Sequence, residues 1–153
     1  MHASEFCFHM DTSLSIPCSK VPPALNRCLP PDIAVISCRE VPADFHARYS
    51  GKGKNYMYRI YDAAVRDPFH ARFYTYHKGR LNESLMNEAA QSFLGTHDFS
   101  AFCASGSSVD DHVRTVSEAS VTRFGDEVVF SVTANGFLYN MVRIMAGTLI
   151  EVS

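Results

Sequence analysis

At 153 residues, with 46% hydrophobic and 20% charged residues, the chain is long enough for one domain with its own core, or for one and a half small domains. Its five cysteines are an odd number and none is spaced as Cys-x-x-Cys, which argues against a disulfide framework and against a zinc site. The N-terminus lacks a signal-peptide pattern and no apolar run reaches about 18 residues, so we predict a cytoplasmic protein without a membrane span.

Charge is unevenly distributed along the chain. The formal net charge of −2 by itself argues against nucleic-acid binding. Between Arg39 and Arg80, however, nine Lys or Arg residues stand against four acids, whereas the remainder of the chain is acidic. This segregation predicts a basic surface that meets phosphates. The alternative is a solvated basic face without a partner.

The first elements predicted along the chain are two strands separated by a short helix. Strict alternation over Glu5 to Asp11 predicts a half-buried strand, and we expect polypeptide before it, since a domain rarely opens on a core strand without a lead-in. Prolines in the first turn and a Pro-Pro pair beyond the end predict a short helix over Val21 to Leu29. The β-branched run Ile33 to Cys38 predicts a second strand, and Pro42 to Phe45 a break.

The segment Arg48 to Asp62 interleaves tyrosines with basic residues. From Lys54 onward the residues alternate between two faces, which predicts a strand with Tyr56 and Tyr58 on one face and Arg59 on the other. Aromatic rings offer stacking surfaces to bases and cations bind phosphates, so this strand is typical of nucleotide-binding surfaces. The alternative is that the tyrosines pack a second layer of structure.

A strand, a helix, a loop and a hairpin are predicted next. Pro68 to His77 is predicted as a strand, and Asn82 as the cap of an amphipathic helix that stops at Gly95. Thr96 to Ser108 is predicted as a loop. Alternation of apolar residues then predicts a hairpin about Gly125-Asp126, with strands over His112 to Phe124 and Glu127 to Ala134.

The run Phe137 to Ile150 has the period of a helix that is apolar nearly all round. Its one charge, Arg143, is therefore expected to be buried and to need a carboxylate partner, because guanidinium does not lose its proton. Two interpretations stay open. Arg143 is either a structural residue that pairs or reaches the surface, or part of a catalytic ion pair.

Other motifs are absent from the sequence. The seven histidines do not fall at metal-binding spacings, and no hydrolase, dinucleotide-binding or phosphate-loop fingerprint occurs. We predict an α+β fold with a mostly antiparallel sheet and helices on one face.

Five stretches, in order, resemble the TruA family of tRNA pseudouridine synthases. They are Pro42 to Ser50, Lys54 to Ile60, Gly95 to Phe102, Arg114 to Val116, and Phe137 to Leu149.

The resemblance implies a pseudouridine synthase fold made of two ferredoxin-like halves. Residues 1–43 are then a remnant of the N-terminal half, and residues 44–153 are the C-terminal half, truncated at its end. The family isomerises uridine to pseudouridine in the tRNA anticodon arm without a cofactor and as a homodimer. We therefore expect tRNA as partner, no cofactor, no metal and no membrane.

The resemblance also implies roles for particular residues. Tyr56 corresponds to the family's active-site tyrosine, and Arg143 to the arginine that pairs with the nucleophilic aspartate. That aspartate lies in a Gly-Arg-Thr-Asp-Ala-Gly-Val-His motif, which by this alignment falls about three residues before Met1. We therefore expect the chain alone to be inactive; a non-catalytic RNA-binding module is the alternative. Substrate-binding roles are implied for Arg48, Lys54, Arg59 and Arg114.

Overall fold

The computed structural model describes residues 2–13 and 15–153, which form two compact units. One unit spans Ala3–Gly51 and the other Lys52–Ser153. The boundary between the two ferredoxin-like halves, placed between residues 43 and 44 from the family resemblance, stays a prediction. None of the helices in the described part of the chain has the length and apolar character needed to cross a bilayer.

The described residues of the first unit contain one helix and no strand. Helix α1 spans Val21–Asn26, after a 3-10 turn over Cys18–Lys20, which confirms the predicted helix in shortened form. The strands predicted over 5–11 and 33–38 are wrong. Both segments lack a backbone ladder, and their apolar side chains are exposed, Phe6 by 82% and Ile36 by 81%.

The side chain of Asn26 explains part of this difference. Its amide donates to the Val35 carbonyl over 3.0 Å, and its carbonyl oxygen accepts from the Val35 N–H over 2.7 Å. One side chain thus makes both backbone hydrogen bonds of Val35, which a neighbouring strand would make in a sheet. Alternation of residue type predicts the two faces of a strand but does not supply the second strand that its hydrogen bonds require.

The second unit is a five-stranded sheet with helices on one face. The strand order is β2-β1-β5-β4-β3, and only the β1/β2 pair is parallel. The predicted α+β fold with a mostly antiparallel sheet is therefore confirmed. The elements are β1 (Lys54–Asp62), β2 (Thr75–His77), α2 (Glu83–Gln91), β3 (Gly95–Asp98), β4 (Val113–Phe124), β5 (Glu127–Ala134) and α3 (Met141–Val152).

The core lies between the sheet and helices α2 and α3. Alternate residues of β5, including Phe130, are fully buried against Met86 of α2 and Met145 of α3. On β1 the same face carries Ile60 and the half-buried Tyr56. This confirms the faces predicted for β1, since Tyr56 and Ile60 lie on one side and Arg59 on the other.

Element boundaries differ from the predictions in three places. Of the strand predicted over 68–77, only Thr75–His77 forms a strand, β2. Residues 67–74 form consecutive turns instead, with hydrogen bonds such as that from the Phe73 N–H to the His70 carbonyl. The first residues of the predicted loop 96–108 form β3 against β4. The predicted hairpin and the Asn82 cap are confirmed, since Asn82 accepts from two backbone N–H groups of α2.

A buried ion pair joins β1 to β4. The Asp62 side chain is fully buried and the Arg123 side chain is 9% exposed, with 2.7 Å between Nη2 and Oδ2. Arg123 also donates to the Leu81 carbonyl and to Glu83. Asp62 accepts from the Leu81 N–H and lies 3.1 Å from the His77 ring nitrogen. The network therefore ties α2 and β2 to the sheet as well.

Opposing effects set the pKa of Asp62. Burial by itself raises the pKa of this carboxyl, but hydrogen bonds from Arg123, His77 and the Leu81 amide outweigh burial, and the pKa lies below its usual value. The bond from Arg123 likewise lowers the pKa of Glu83. Both carboxylates are thus held in the charged form.

We expect Asp62→Ala to lower the free energy of unfolding by about 3 kcal/mol or more, because it leaves Arg123 with an incompletely compensated charge. Arg59→Ala is the control. It removes an exposed ion pair with Glu127 and should cost no more than about 1 kcal/mol. Urea denaturation of the three proteins gives the comparison, and equal costs would contradict the assigned role of Asp62.

The same network predicts acid sensitivity. Since the folded-state pKa of Asp62 lies below the unfolded value of about 3.9, its stabilisation is complete above that value and is lost as pH falls through the folded-state pKa. Urea midpoints measured from pH 7 to pH 3 should therefore fall less steeply in Asp62→Asn than in the parent.

Candidate active site

All candidate residues of the second unit except Arg59 lie on elements that meet at the end of the sheet where β1 begins and β5 ends, which we call the edge. Lys54 opens β1 opposite Ala134, the last residue of β5, and Tyr56 lies opposite Val132. The chain then passes through residues 135–140 into helix α3. Pairing of β1 with β5 thus places two distant parts of the sequence at one edge.

Tyr56 is positioned by a second aromatic ring. The ring of Phe137 meets it edge to face, with 5.0 Å between the centroids and an interplanar angle of 82°. Tyr56 is half-buried, and within the described part of the chain its hydroxyl makes no hydrogen bond. The ring is therefore held while the hydroxyl stays available to a bound molecule.

Arg114 lies on β4 beside the segment that leads to α3. Its guanidinium donates to the carbonyls of Asp111 and Val113, and a Cβ placed on Gly136 would lie 3.6 Å from its Nε. The next residue, Thr115, donates its N–H to the Asn135 side chain. These contacts fix Arg114 against the same connecting segment that carries Phe137.

Arg143 is exposed, so its predicted burial is wrong. The apolar stripe of α3 is confirmed by the buried Val142, Met145 and Leu149, but Arg143 falls on the face turned away from that stripe. It therefore needs no internal carboxylate. A cation in the first turn of a helix is opposed by the helix dipole, and the backbone N–H groups of that turn, like the guanidinium, favour an anion.

The start of α3 differs from the prediction because of Asn140. The helix begins at Met141 rather than at Phe137, since Asn140 has the left-handed backbone conformation, with φ 57°. Among the described residues outside glycine this positive φ occurs only here. Asn is one of the residue types that tolerate this conformation, which is the sequence signal for the later start.

Two further candidate residues lie elsewhere. Arg59 is on the opposite face of β1 from Tyr56, where its guanidinium pairs with Glu127 at 2.9 Å and lies 4.3 Å from the ring centroid of Tyr74. Arg48 belongs to the first unit, where its Cζ lies 5.8 Å from the ring centroid of Tyr49. The structure thus brings together Lys54, Tyr56, Arg114 and the start of the Arg143 helix.

Sequence reasoning did not find the Tyr56–Phe137 contact or the packing of Arg114 against Gly136. Both depend on the register of three strands, which local patterns do not fix. Within the described residues no group of three or more His, Cys, Asp or Glu side chains could hold a metal ion. The chemistry available at this edge is therefore aromatic stacking, proton transfer at a phenol, and cationic binding.

Comparisons with known proteins identify the family. The family described as tRNA pseudouridine synthase matches residues 89–153. The tRNA pseudouridine synthase A of Halalkalibacterium halodurans is 52% identical over 153 residues, which cover 99% of this chain and 58% of that protein. The proteins of the same name from Anoxybacillus flavithermus and Staphylococcus aureus strain MRSA252 are each 45% identical over 152 residues.

The match to the two latter proteins covers 99% of this chain, and 61% and 58% of theirs. The chain thus spans less than two thirds of the length of these curated relatives. By a similarity that extends over nearly all of its length, the chain belongs to the tRNA pseudouridine synthase family.

Proposed function

We propose that this chain forms part of an enzyme that isomerises uridine to pseudouridine in the anticodon arm of tRNA. The observation that carries the proposal is the edge of the sheet where Tyr56, whose hydroxyl makes no hydrogen bond with the described residues, lies close in the fold to the helix that presents Arg143. Family membership supplies the reaction. A homodimer in the cytoplasm belongs to the same proposal, since the family resemblance implies both.

The proposed reaction needs no external oxidant or reductant. The target uridine leaves the base stack, its bond between N1 and C1′ breaks with help from a carboxylate, and the uracil rotates. A bond between C5 and C1′ then forms, the proton on C5 is released, and N1 takes up a proton from water, so that the product is an isomer of the substrate. Tyr56 would stack on the uracil and handle this proton, while Arg143 would orient the carboxylate.

The carboxylate is the one component for which these residues offer no candidate at this edge. The Gly-Arg-Thr-Asp-Ala-Gly motif implied by the family does not occur in the 153-residue sequence. The exposed Arg143, in a helix turn without an acidic residue, is open to an incoming carboxylate. We therefore infer that the 153 residues alone are inactive. The same absence favours the second candidate function, an RNA-binding module without catalysis.

We expect no pseudouridine from the 153-residue chain, and pseudouridine from the same chain extended upstream with a family-type segment that contains the aspartate. Release of tritium from C5-labelled tRNA uridine measures the reaction. The extended chain with alanine in place of the aspartate is the matched control and should be inactive. Robust release by the 153-residue chain would mean that another residue is the nucleophile, and an inactive extended chain would favour the RNA-binding module.

Arg143→Gln separates catalysis from stability. Because Arg143 is exposed, this change should alter the free energy of unfolding by no more than about 0.5 kcal/mol, while it should abolish tritium release in the extended chain. Thr148→Ala, on the exposed surface of the same helix, is the control and should keep activity. A loss of activity that follows a loss of folding would contradict the proposed role.

Basic residues at the start of β1 should contribute to RNA affinity. Lys52 and Lys54 are exposed there, so Lys52→Glu with Lys54→Glu should weaken binding of an anticodon stem-loop and reduce its salt dependence. Fluorescence anisotropy between about 50 and 200 mM salt gives the slope. Lys20→Glu with Arg27→Glu, in the first unit, changes the net charge equally. An unchanged slope in the Lys52 and Lys54 variant would exclude this surface as a phosphate contact.

A further inference from the structure

A pocket lies at the other end of β1 from the candidate active site, in the crossover between β1 and β2. Its volume is about 510 Å³, within the range of small-ligand sites. We call it the Tyr61 pocket. Its principal lining residues are Tyr61, Arg66, Asp67, His70, Tyr74 and Tyr76.

The aromatic rings of the Tyr61 pocket are held in place by their own contacts. Tyr61 and His70 are stacked, with 4.7 Å between centroids and 10° between planes, and Tyr74 meets His70 edge to face. The Tyr74 hydroxyl donates to Glu127 over 2.5 Å, and the Tyr76 hydroxyl donates to the Ala64 carbonyl over 3.1 Å. The rings are therefore held in position; His70 covers one face of the Tyr61 ring, and Tyr76 is 39% exposed.

Within the described residues one cation of the pocket, Arg66, is free to bind an anion, whereas the acids beside it already have partners. The Asp67 carboxylate already accepts from the Phe69 N–H and lies 2.7 Å from the His70 ring nitrogen, so its charge is engaged. Arg66 is exposed and makes no ion pair or hydrogen bond within the described residues. Glu127, next to the lining, is engaged as well, by the Tyr74 hydroxyl and by Arg59. Arg66 is thus the charged lining residue without a partner among the described residues, and a guanidinium in that state fits a phosphate.

We propose that the Tyr61 pocket binds an unpaired nucleotide of an RNA, with its base on the aromatic rings and its phosphate on Arg66. That the ligand is RNA rests on the proposed function. Tyr61 lies on the opposite face of β1 from Tyr56 and about 17 Å farther along the strand, from the rise of an extended chain. The pocket therefore holds a nucleotide other than the one at the candidate active site.

Binding of fluorescein-labelled single-stranded oligouridylate to the 153-residue chain tests the proposal. Tyr76→Ala should weaken binding about tenfold, because stacking contributes about 1–3 kcal/mol per base, whereas Tyr76→Phe keeps the ring and should bind like the parent. Arg66→Ala should reduce the slope of log affinity against log salt by about 0.7, the value for one phosphate contact on a single strand.

Arg72→Ala is the matched control for charge. Arg72 lies in the same crossover, is also exposed and does not line the pocket, so its removal should change affinity less than twofold. Equal losses in Arg66→Ala and Arg72→Ala would overturn the proposal in favour of unspecific attraction. Parent-like binding by both Tyr76→Ala and Arg66→Ala would also overturn it.

Two further readouts separate this proposal from others. Iodouridine-substituted RNA should photocrosslink to Tyr61 or Tyr76, and crosslinks confined to other residues would contradict the assignment. If Tyr76→Ala changes the sedimentation coefficient but not RNA affinity, the pocket is a protein contact and the proposal fails. Neither result depends on pseudouridine formation, so failure of the proposed reaction and failure of this pocket are distinguishable.

Discussion

Pairing of β1 with β5 is the constraint on which the second unit depends. It sets Tyr56 against Val132 and Ile60 against Val128, so one face of β1 enters the core. A shift of one residue would exchange the two faces, turning Ile60 to solvent and Arg59 into the core. The buried pair of Asp62 and Arg123 at the far end of β1 opposes such a shift, because it is satisfied in one register only.

This register also separates two sets of binding groups along one strand. Tyr56 faces the helices near the start of α3, whereas Arg59 and Tyr61 face away from them toward the β1–β2 crossover. Alternation in a nine-residue strand thus provides two aromatic surfaces from a run of closely spaced tyrosines. The basic residues that look like one cluster in the sequence are distributed over both.

Prediction from the sequence succeeded for elements whose local sequence pattern also specifies how they begin, turn or end. The hairpin about Gly125 and the helix capped by Asn82 carry their own turn and cap signals, and both are present. The segment 5–11 has the period of a strand and the segment 33–38 its β-branched composition, but neither forms a ladder in this chain, because neither signal encodes the hydrogen-bonding partner. The predicted burial of Arg143 was wrong because the number of apolar residues around a helix does not show which face is turned away from the core.

The first turn of α3 joins two features that are unfavourable for folding by themselves. Asn140 has a left-handed backbone, and Arg143 places a cation at the positive end of the helix dipole. The helix tolerates both because Leu138, Met141 and Met145 anchor it in the core. Local choices that oppose folding and are held by a rigid scaffold are expected at functional sites, and here the exposed Arg143 guanidinium would gain a favourable partner when an anion arrives.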